Sequence, residues 1–294
     1  MRWQTKARAF KVLSGVPFGT SLHFMLQRYV TRRLPRPEKQ VKTIYEFSQK
    51  LLSLYAAHST HDVSASTFLE FGSGRDLVVP LAFSAGGAKR FMTLDIERLA
   101  KLDLVRSNAG LVAKLSGVSR DAPSSWEDLG HSWNVDYRAP ADARATGLAN
   151  DTIDCAVSVE TLEHIQGPDI AAILKELHRI LRPDGLAVMQ IDYGDHYKGF
   201  DRSISSFNFL AYSDEDWQPF QSRFQYVNRL RHSEYLDLFE NAGFEIVMAQ
   251  PDRRPVEPDI KARLAQRFRK FTDEDLFTLG ALIVARPVKE TGKA

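Results

Sequence analysis

The sequence contains little cysteine, no long hydrophobic run, and no acidic side chain among its first 37 residues. Cys155 is the one cysteine among 294 residues, which excludes an internal disulfide framework and a cysteine-rich zinc site. Because no run of about 18 apolar residues is present, we expect no transmembrane helix. The low cysteine content fits a reducing compartment, so the sequence predicts a cytoplasmic protein.

Charge is distributed unevenly along the chain, although the formal net charge is only +2. Residues 1–42 carry ten basic side chains against one acid, Glu38, which gives this segment +9 and the remainder −7. The apolar residues between these charges predict that the segment packs on the rest of the protein. Two alternatives stay open: peripheral contact with the anionic inner surface of a membrane, and a mitochondrial presequence, which also lacks acids.

Three zones follow from the spacing of apolar residues. Residues 1–66 have helical spacing and form a predicted N-terminal helical extension. From Thr67 onward strands and helices alternate, which is typical of an α/β sheet covered on both faces. The predicted strands are Thr67–Phe71, Arg90–Leu94, Val135–Arg138, Ile153–Val159, Leu186–Ile191, Phe244–Met248 and Leu279–Ala285. The predicted helices after Thr67 are Glu97–Leu115, Pro168–Leu181, Ser233–Ala242 and a basic helix near Asp259–Lys270.

The domain that starts at residue 67 is predicted to end at residue 286, with a short tail over residues 287–294. Residues 192–231 are rich in aromatic and charged side chains and lack a clear period. A loop of about 40 residues inside a compact domain is usually functional, so we predict a cap or lid over a substrate. Residues 251–275 form a second predicted insertion, which is helical.

The most informative motif is an apolar strand that runs into a glycine turn. Gly72 and Gly74 allow a positive φ and let the backbone approach a ligand closely. Asp95 ends the next strand, 21 residues after Gly74, where an acid can bind ribose hydroxyls. A nicotinamide fingerprint would need glycine where the chain has Leu77. Glu70 would fit poorly beside a pyrophosphate but well beside a cofactor with a positive charge and an amino group.

These features occur in an order that resembles class I S-adenosylmethionine-dependent methyltransferases, in the broad group similar to the ubiquinone-biosynthesis methyltransferases. The resemblance covers roughly residues 67–192, and the last strands extend it to about residue 286. Its motifs are Leu69-Glu70-Phe71-Gly72-Ser73-Gly74, Ile153-Asp154-Cys155-Ala156-Val157-Ser158 followed by Glu160-Thr161-Leu162-Glu163-His164-Ile165, and the run from Leu174 to Gly185. It implies an α/β, Rossmann-like fold with a seven-stranded, mostly parallel sheet, and a methyltransferase domain over residues 67–286.

The resemblance also implies S-adenosylmethionine as the cofactor. Asp95 takes the place of the family's ribose-binding acid, Ile96 lies beside the adenine, and Asp142 faces the adenine amino group. The complete set of implied cofactor-binding residues is Glu70, Phe71, Gly72, Ser73, Gly74, Asp95, Ile96, Asp142, Ala143, Val159 and Glu160.

The chain departs from the family pattern at two turns. Asp76 stands where the family often has a third glycine, and Asp184 stands in Pro183-Asp184-Gly185 where Pro-Gly-Gly is usual. We predict that Asp76 caps the following helix, because an aspartate there can bind unpaired amides. Cofactor binding should survive, with altered geometry near its carboxylate end.

Candidate catalytic residues follow the fourth and fifth strands, at the ligand-binding edge of such a sheet. Methyl transfer depends mainly on positioning, although an oxygen or nitrogen acceptor can need a base for its proton. We predict His196, Asp192 and His164 as candidates. Alternatively, the cluster with Asp201 holds a divalent metal or only forms hydrogen bonds within the loop, and the sequence predicts no defined set of metal ligands.

The acceptor is less well defined by the sequence. The segment from Phe200 to Tyr212, with Trp217 and residues 228–231, is similar to methyltransferases of bacterial polysaccharide gene clusters. This resemblance implies a sugar hydroxyl of a glycan precursor as the acceptor. The aromatic residues would form either a sugar platform or the core of a small lid.

Two other kinds of function stay open. One is methylation of a lipid, quinone or other small molecule, and the other is a catalytically silent scaffold that binds the cofactor. The intact cofactor motifs argue against the silent scaffold. Nucleic acid is an unlikely partner, because no Asn/Asp-Pro-Pro-Tyr type of motif follows the fourth strand.

Overall fold

A computed structural model describes residues 2–289. Within them, seven strands form one sheet in the order β3-β2-β1-β4-β5-β7-β6. Strand β7 is antiparallel to β5 and β6, and the remaining pairs are parallel. The strands are β1 Thr67–Phe71, β2 Arg90–Leu94, β3 Val135–Arg138, β4 Ile153–Val159, β5 Leu181–Asp192, β6 Phe244–Arg253 and β7 Thr278–Pro287. The predicted Rossmann-like, mostly parallel sheet is confirmed.

The central strands are buried on both faces, because helices cover both sides of the sheet. In β1, Phe68 and Leu69 are inaccessible to solvent and belong to hydrophobic clusters on opposite faces. Phe68 pairs in register with Phe91 of β2 and with Cys155 of β4. The carboxyl ends of these three strands therefore meet at one edge of the sheet.

The helices flank the sheet and extend it at the N-terminus. The α-helices of the described residues are α1 Trp3–Gly15, α2 Gly19–Met25, α3 Glu38–His58, α4 Val78–Ala85, α5 Leu102–Ser116, α6 Trp126–Trp133, α7 Gly167–Ile180, α8 Asp214–Trp217, α9 His232–Asn241, α10 Pro258–Lys261 and α11 Asp273–Leu276. A π-helical turn, Leu26–Val30, continues α2. None of the described helices combines the length and the hydrophobicity needed to cross a bilayer.

Three local predictions are wrong. The helix predicted over Glu97–Leu115 begins only at Leu102; residues 97–101 form a loop in which the Lys101 N–H donates to the Arg75 carbonyl at 3.0 Å. The predicted basic helix near Asp259–Lys270 is interrupted after α10, because the Ala265 N–H donates to the Leu210 carbonyl of the cap segment at 2.9 Å. Asp76 does not cap α4; its carboxylate pairs with Arg36, with 2.5 Å between Nε and Oδ2. Leu77 precedes α4 instead, in a left-handed conformation with φ +51°.

The N-terminal segment packs on the segment 192–231. Trp3 and Phe10 are buried in a third hydrophobic cluster together with Tyr197, Phe207 and Trp217. The Trp3 and Trp217 rings stack with their centroids 5.5 Å apart. The apolar residues of α1 thus join this segment to the catalytic domain.

Candidate active site

A cavity of about 410 Å³ opens at the carboxyl edge of β1 and β2. Six of the predicted cofactor-binding residues line it: Phe71, Gly72, Asp95, Ile96, Asp142 and Ala143. The segment after β4 closes another side of this first cavity with Thr161, His164 and Ile165. The ends of three neighbouring strands therefore supply most of the wall.

The glycine turn after β1 has the shape that close contact with a ligand requires. Gly72 has φ +82°, and a Cβ there would lie 2.5 Å from Thr161 Oγ1. Gly74 also has a positive φ, and its N–H donates to Asp95 Oδ2 at 3.3 Å. The Ser73 hydroxyl is buried without a hydrogen-bond partner among the described residues. The backbone of this turn lacks side chains at Gly72 and Gly74, and it therefore allows the close approach that the polar end of S-adenosylmethionine needs.

The segment after β2 provides an acid and an apolar surface side by side. Asp95 is only 7% exposed, and burial raises the pKa of its carboxyl group, although N–H donors from Glu97 and Gly74 oppose this shift. Ile96 is 65% exposed at the rim of the first cavity. An acid beside an exposed apolar side chain suits a ribose with an attached flat base.

Asp142 also lines the first cavity, and a neighbouring cation holds its carboxylate. Arg144 Nε lies 3.0 Å from Asp142 Oδ1, and Arg144 also pairs with Asp169 at 2.6 Å. The hydrogen bonds from Arg144 lower the pKa of Asp142. The carboxylate is therefore ionised and oriented, and it can still accept a bond from an exocyclic amine.

The other predicted cofactor residues do not contribute to this wall. Glu70 is buried and accepts a hydrogen bond from Thr93 Oγ1 at 2.8 Å. Burial raises the pKa of Glu70 to about 8. Ser73 and Gly74 form the turn, Val159 ends β4, and Glu160 lines a second cavity.

Distant segments supply wall residues that sequence reasoning missed. Thr20 of α2, together with Arg223 and Phe224 of the cap segment, borders the first cavity. Arg223 forms an ion pair with Glu97 across this opening. No spacing rule could find these residues, because they reach the site through tertiary packing.

The second cavity, of about 510 Å³, lies where β4 and β5 end. Eight of its eleven lining residues have polar or charged side chains; the full set is Glu160, Glu163, His164, Asp192, Gly194, Asp195, His196, Lys198, Gly199, Ser206 and Leu279. His164 borders both cavities. A group bound in the second cavity would therefore lie next to a ligand in the first.

The structure brings the three predicted catalytic residues together. His196 Nε2 lies 3.3 Å from Asp192 Oδ2, and the rings of His196 and His164 are 4.9 Å apart. Burial alone would raise the pKa of Asp192, but His196, the Gly194 N–H and His164 together outweigh burial, and the net shift is downward. The Tyr226 carbonyl lies 2.6 Å from His164 Nδ1, and because it can only accept, Nδ1 carries the hydrogen.

Asp201, three aromatic residues and Arg231, all in the segment after β5, have structural roles. Asp201 does not line the second cavity; it accepts a hydrogen bond from the Trp3 N–H at 3.0 Å. The aromatic residues Tyr197, Phe207 and Trp217 are buried, so they form the core of the cap and not a sugar platform. Arg231 is fully buried and donates to backbone carbonyls, among them Thr278 at 2.6 Å.

Comparison with known proteins agrees with the class that this fold and site define, the class I S-adenosylmethionine-dependent methyltransferases. Residues 26–249 match a family described as a methyltransferase domain. This match covers most of the chain, and the protein therefore belongs to the methyltransferase-domain family. It is an S-adenosylmethionine-dependent methyltransferase. No curated protein sequence matches it.

Comparison with solved structures found matches at low sequence identity. A protein from Pyrococcus horikoshii OT3 is 15% identical, with 89% of this chain and 97% of that chain covered and a TM-score of 0.52. An S-adenosylmethionine-dependent methyltransferase from Methanosarcina mazei is 16% identical, with 81% and 98% covered and a TM-score of 0.49. A geranyl diphosphate C-methyltransferase from Streptomyces coelicolor A3(2) is 13% identical, with 86% of each chain covered and a TM-score of 0.48.

Proposed function

We propose that the enzyme methylates a hydroxyl group of a sugar or glycan precursor bound in the second cavity. The observation that carries this proposal is the position of His164, which borders both the first cavity and this polar one. Carboxylates and imidazoles around one cavity suit an acceptor with many hydroxyl groups. A quinone ring or a lipid chain in this cavity would leave its carboxylates and imidazoles without hydrogen-bond partners, which is unfavourable.

When bound, S-adenosylmethionine supplies an electrophilic methyl group. We assign its binding to the predicted cofactor residues, with Asp95 on the ribose, Ile96 beside the adenine and Asp142 near the exocyclic amine. The residues of the second cavity would orient the acceptor oxygen toward the first cavity. Asp192 and His196, whose Oδ2 and Nε2 atoms are 3.3 Å apart, would receive the hydroxyl proton as the oxygen forms its new bond.

We also propose that the protein works in the cytoplasm and touches the inner membrane surface. Four apolar residues at helical spacing, Phe18, Leu22, Met25 and Tyr29, are exposed on one side of α2 and its continuation. The opposite side of α2 faces the first cavity through Thr20. Membrane contact would therefore bring the active site near a glycan that is still linked to a lipid.

Transfer of a labelled methyl group to sugars, sugar nucleotides and lipid-linked glycans tests the acceptor, with quinols as the alternative class. We expect products from a glycan class, and His196→Ala or Asp192→Asn should lower turnover about 100-fold or more. Cofactor affinity should stay nearly unchanged in both variants. Methylation of quinols alone, or full activity in both variants, would contradict the proposal.

A further inference from the structure

Glu163 is a buried carboxylate that lacks a hydrogen-bond partner among the described residues. Its side chain is 2% exposed, and neither carboxylate oxygen has a partner. The residue borders the second cavity. Burial of an unpaired carboxylate is unfavourable unless the group is protonated or a cation compensates it. A protonated carboxyl group would still have an O–H without a partner, so the environment favours a cation.

Two imidazole side chains lie beside this carboxylate. The ligand atoms of Glu163, His164 and His196 all lie within 4.8 Å of one another. The Tyr226 carbonyl fixes the His164 hydrogen on Nδ1, which leaves a lone pair on Nε2. His196 Nε2 also has no well-aligned hydrogen bond. Ligands about 2.1 Å from a common metal ion are about 3–4 Å apart, so small side-chain rotations would close the set.

We propose that Glu163, His164 and His196 bind a divalent first-row transition-metal cation. A carboxylate with two imidazoles is a donor set for such ions, whereas Mg²⁺ and Ca²⁺ prefer oxygen ligands alone. This site differs from the metal cluster considered from the sequence, because it contains the buried Glu163 and excludes Asp201.

The charges around the site favour a cation. Glu160, Asp192 and Asp195 border the same cavity. Lys198 is the one lysine in the wall, and its Nζ is directed to the carbonyls of Arg202 and Ile204. The cavity therefore has more negative than positive side chains facing it.

The cation would bind hydroxyl oxygens of the acceptor and lower the pKa of the one that is methylated. His196 then serves as a ligand, and Asp192 remains beside it to receive the proton. This role in catalysis rests on the proposed function, whereas binding of the cation does not.

Titration of the whole protein with Mn²⁺, followed by electron paramagnetic resonance of the free ion, tests the site. We expect one saturable Mn²⁺ site per chain that excess Mg²⁺ does not displace. Glu163→Gln and His196→Ala should each weaken Mn²⁺ binding at least tenfold. His131→Ala is the matched control, because His131 is exposed on α6 and lies outside both cavity walls.

Absence of saturable Mn²⁺ binding to the wild type, or unchanged affinity in Glu163→Gln and His196→Ala, would overturn the site. Thermal unfolding of each variant shows whether it is folded, and the wild-type titration decides even if one variant is not. Mn²⁺ binding without methylation of any sugar would remove the acceptor proposal and keep the site. Sugar methylation that persists in the presence of a chelator, by a protein that binds no Mn²⁺, would remove the metal site and keep the acceptor proposal.

Discussion

The two cavities occupy the same edge of the sheet but are built in different ways. The first takes most of its wall from short segments directly after β1, β2 and β4. The second combines the ends of β4 and β5 with cap residues as far as Ser206 and with Leu279 of β7. The first cavity, which we propose binds the cofactor, therefore depends mainly on the backbone at strand ends. The second cavity, proposed for the acceptor, depends more on packing between distant segments. Changes on one side should leave the other side largely unaffected.

The largest effect on the cofactor side is expected at Asp95. Losing a charge-assisted contact to the ribose should cost about 1.5–3 kcal/mol, so Asp95→Ala should weaken binding about 10- to 100-fold. Calorimetric titration with S-adenosylmethionine and its demethylated product measures this change. Mn²⁺ affinity in the same variant should stay at the wild-type value if the two sides are independent.

Asp136→Ala is the matched control for Asp95→Ala. Asp136 lies on the neighbouring strand β3, pairs with Arg90 and Arg138, and borders neither the first nor the second cavity. We expect wild-type cofactor affinity in this control. If the wild type gives no heat with either ligand, the assignment of the first cavity is wrong.

A smaller effect is expected at Glu70, whose pKa burial raises to about 8 in the free protein. A positively charged amino group of the cofactor would favour the ionised carboxylate. Binding at pH 7 should then release about one proton more from the wild type than from Glu70→Gln. Calorimetry in buffers of different ionisation enthalpy measures this difference, and affinity should change less than at Asp95.

The raised pKa of Glu70 also predicts how the free energy of unfolding depends on pH. Because the folded protein holds the Glu70 proton up to about pH 8 and the unfolded chain loses it near 4.5, the folded state binds more protons between these values. The Glu70 contribution to stability is therefore present below about pH 4.5 and is lost as the pH rises toward 8. Denaturant unfolding should show a flatter profile for Glu70→Gln, whereas the exposed control Glu240→Gln should follow the wild type. Parallel profiles for wild type and Glu70→Gln would show that Glu70 is already ionised.

The contrast between the cavities also explains what the sequence could predict. The bounds of β1 and β2 were predictable, because apolar strands end at a glycine turn and at an acid. Gly72, Asp95 and Ile96 line the same cavity, because they directly follow two neighbouring parallel strands whose carboxyl ends meet at one edge of the sheet. Glu163 belongs to the motif that follows β4, but its burial and its unpaired oxygens depend on the folded environment, which the motif does not specify.

Long-range contacts account for the local errors. Apolar residues at 260, 264 and 268 have helical spacing, yet the contact between Ala265 and Leu210 replaces a helical hydrogen bond. Asp76 has the composition of a cap, but Arg36 of the N-terminal extension binds its carboxylate. Neither Leu210 nor Arg36 is near its partner in the sequence, so local pattern alone predicts the wrong structure.

The smallest expected effect concerns the N-terminal segment, which has one buried side and one exposed side. Trp3 and Phe10 are buried against the cap, whereas Phe18 is 85% exposed and Leu22 lies next to it on the outer side of α2. Because apolar insertion and nearby basic residues both contribute to membrane contact, Phe18→Ser with Leu22→Ser should weaken binding to anionic phosphatidylglycerol vesicles roughly fivefold. Vesicle co-sedimentation at low and high salt measures this, and binding should fall with salt.

Val256→Ser is the control for the vesicle experiment, since Val256 is also exposed but lies outside the N-terminal segment. We expect it to bind vesicles like the wild type, and all variants should keep wild-type cofactor affinity. If the wild type does not bind vesicles at low salt, the exposed side of α2 has no membrane role. The basic segment then serves the packing role that Trp3 and Phe10 already show, and a freely diffusing glycan becomes the better acceptor.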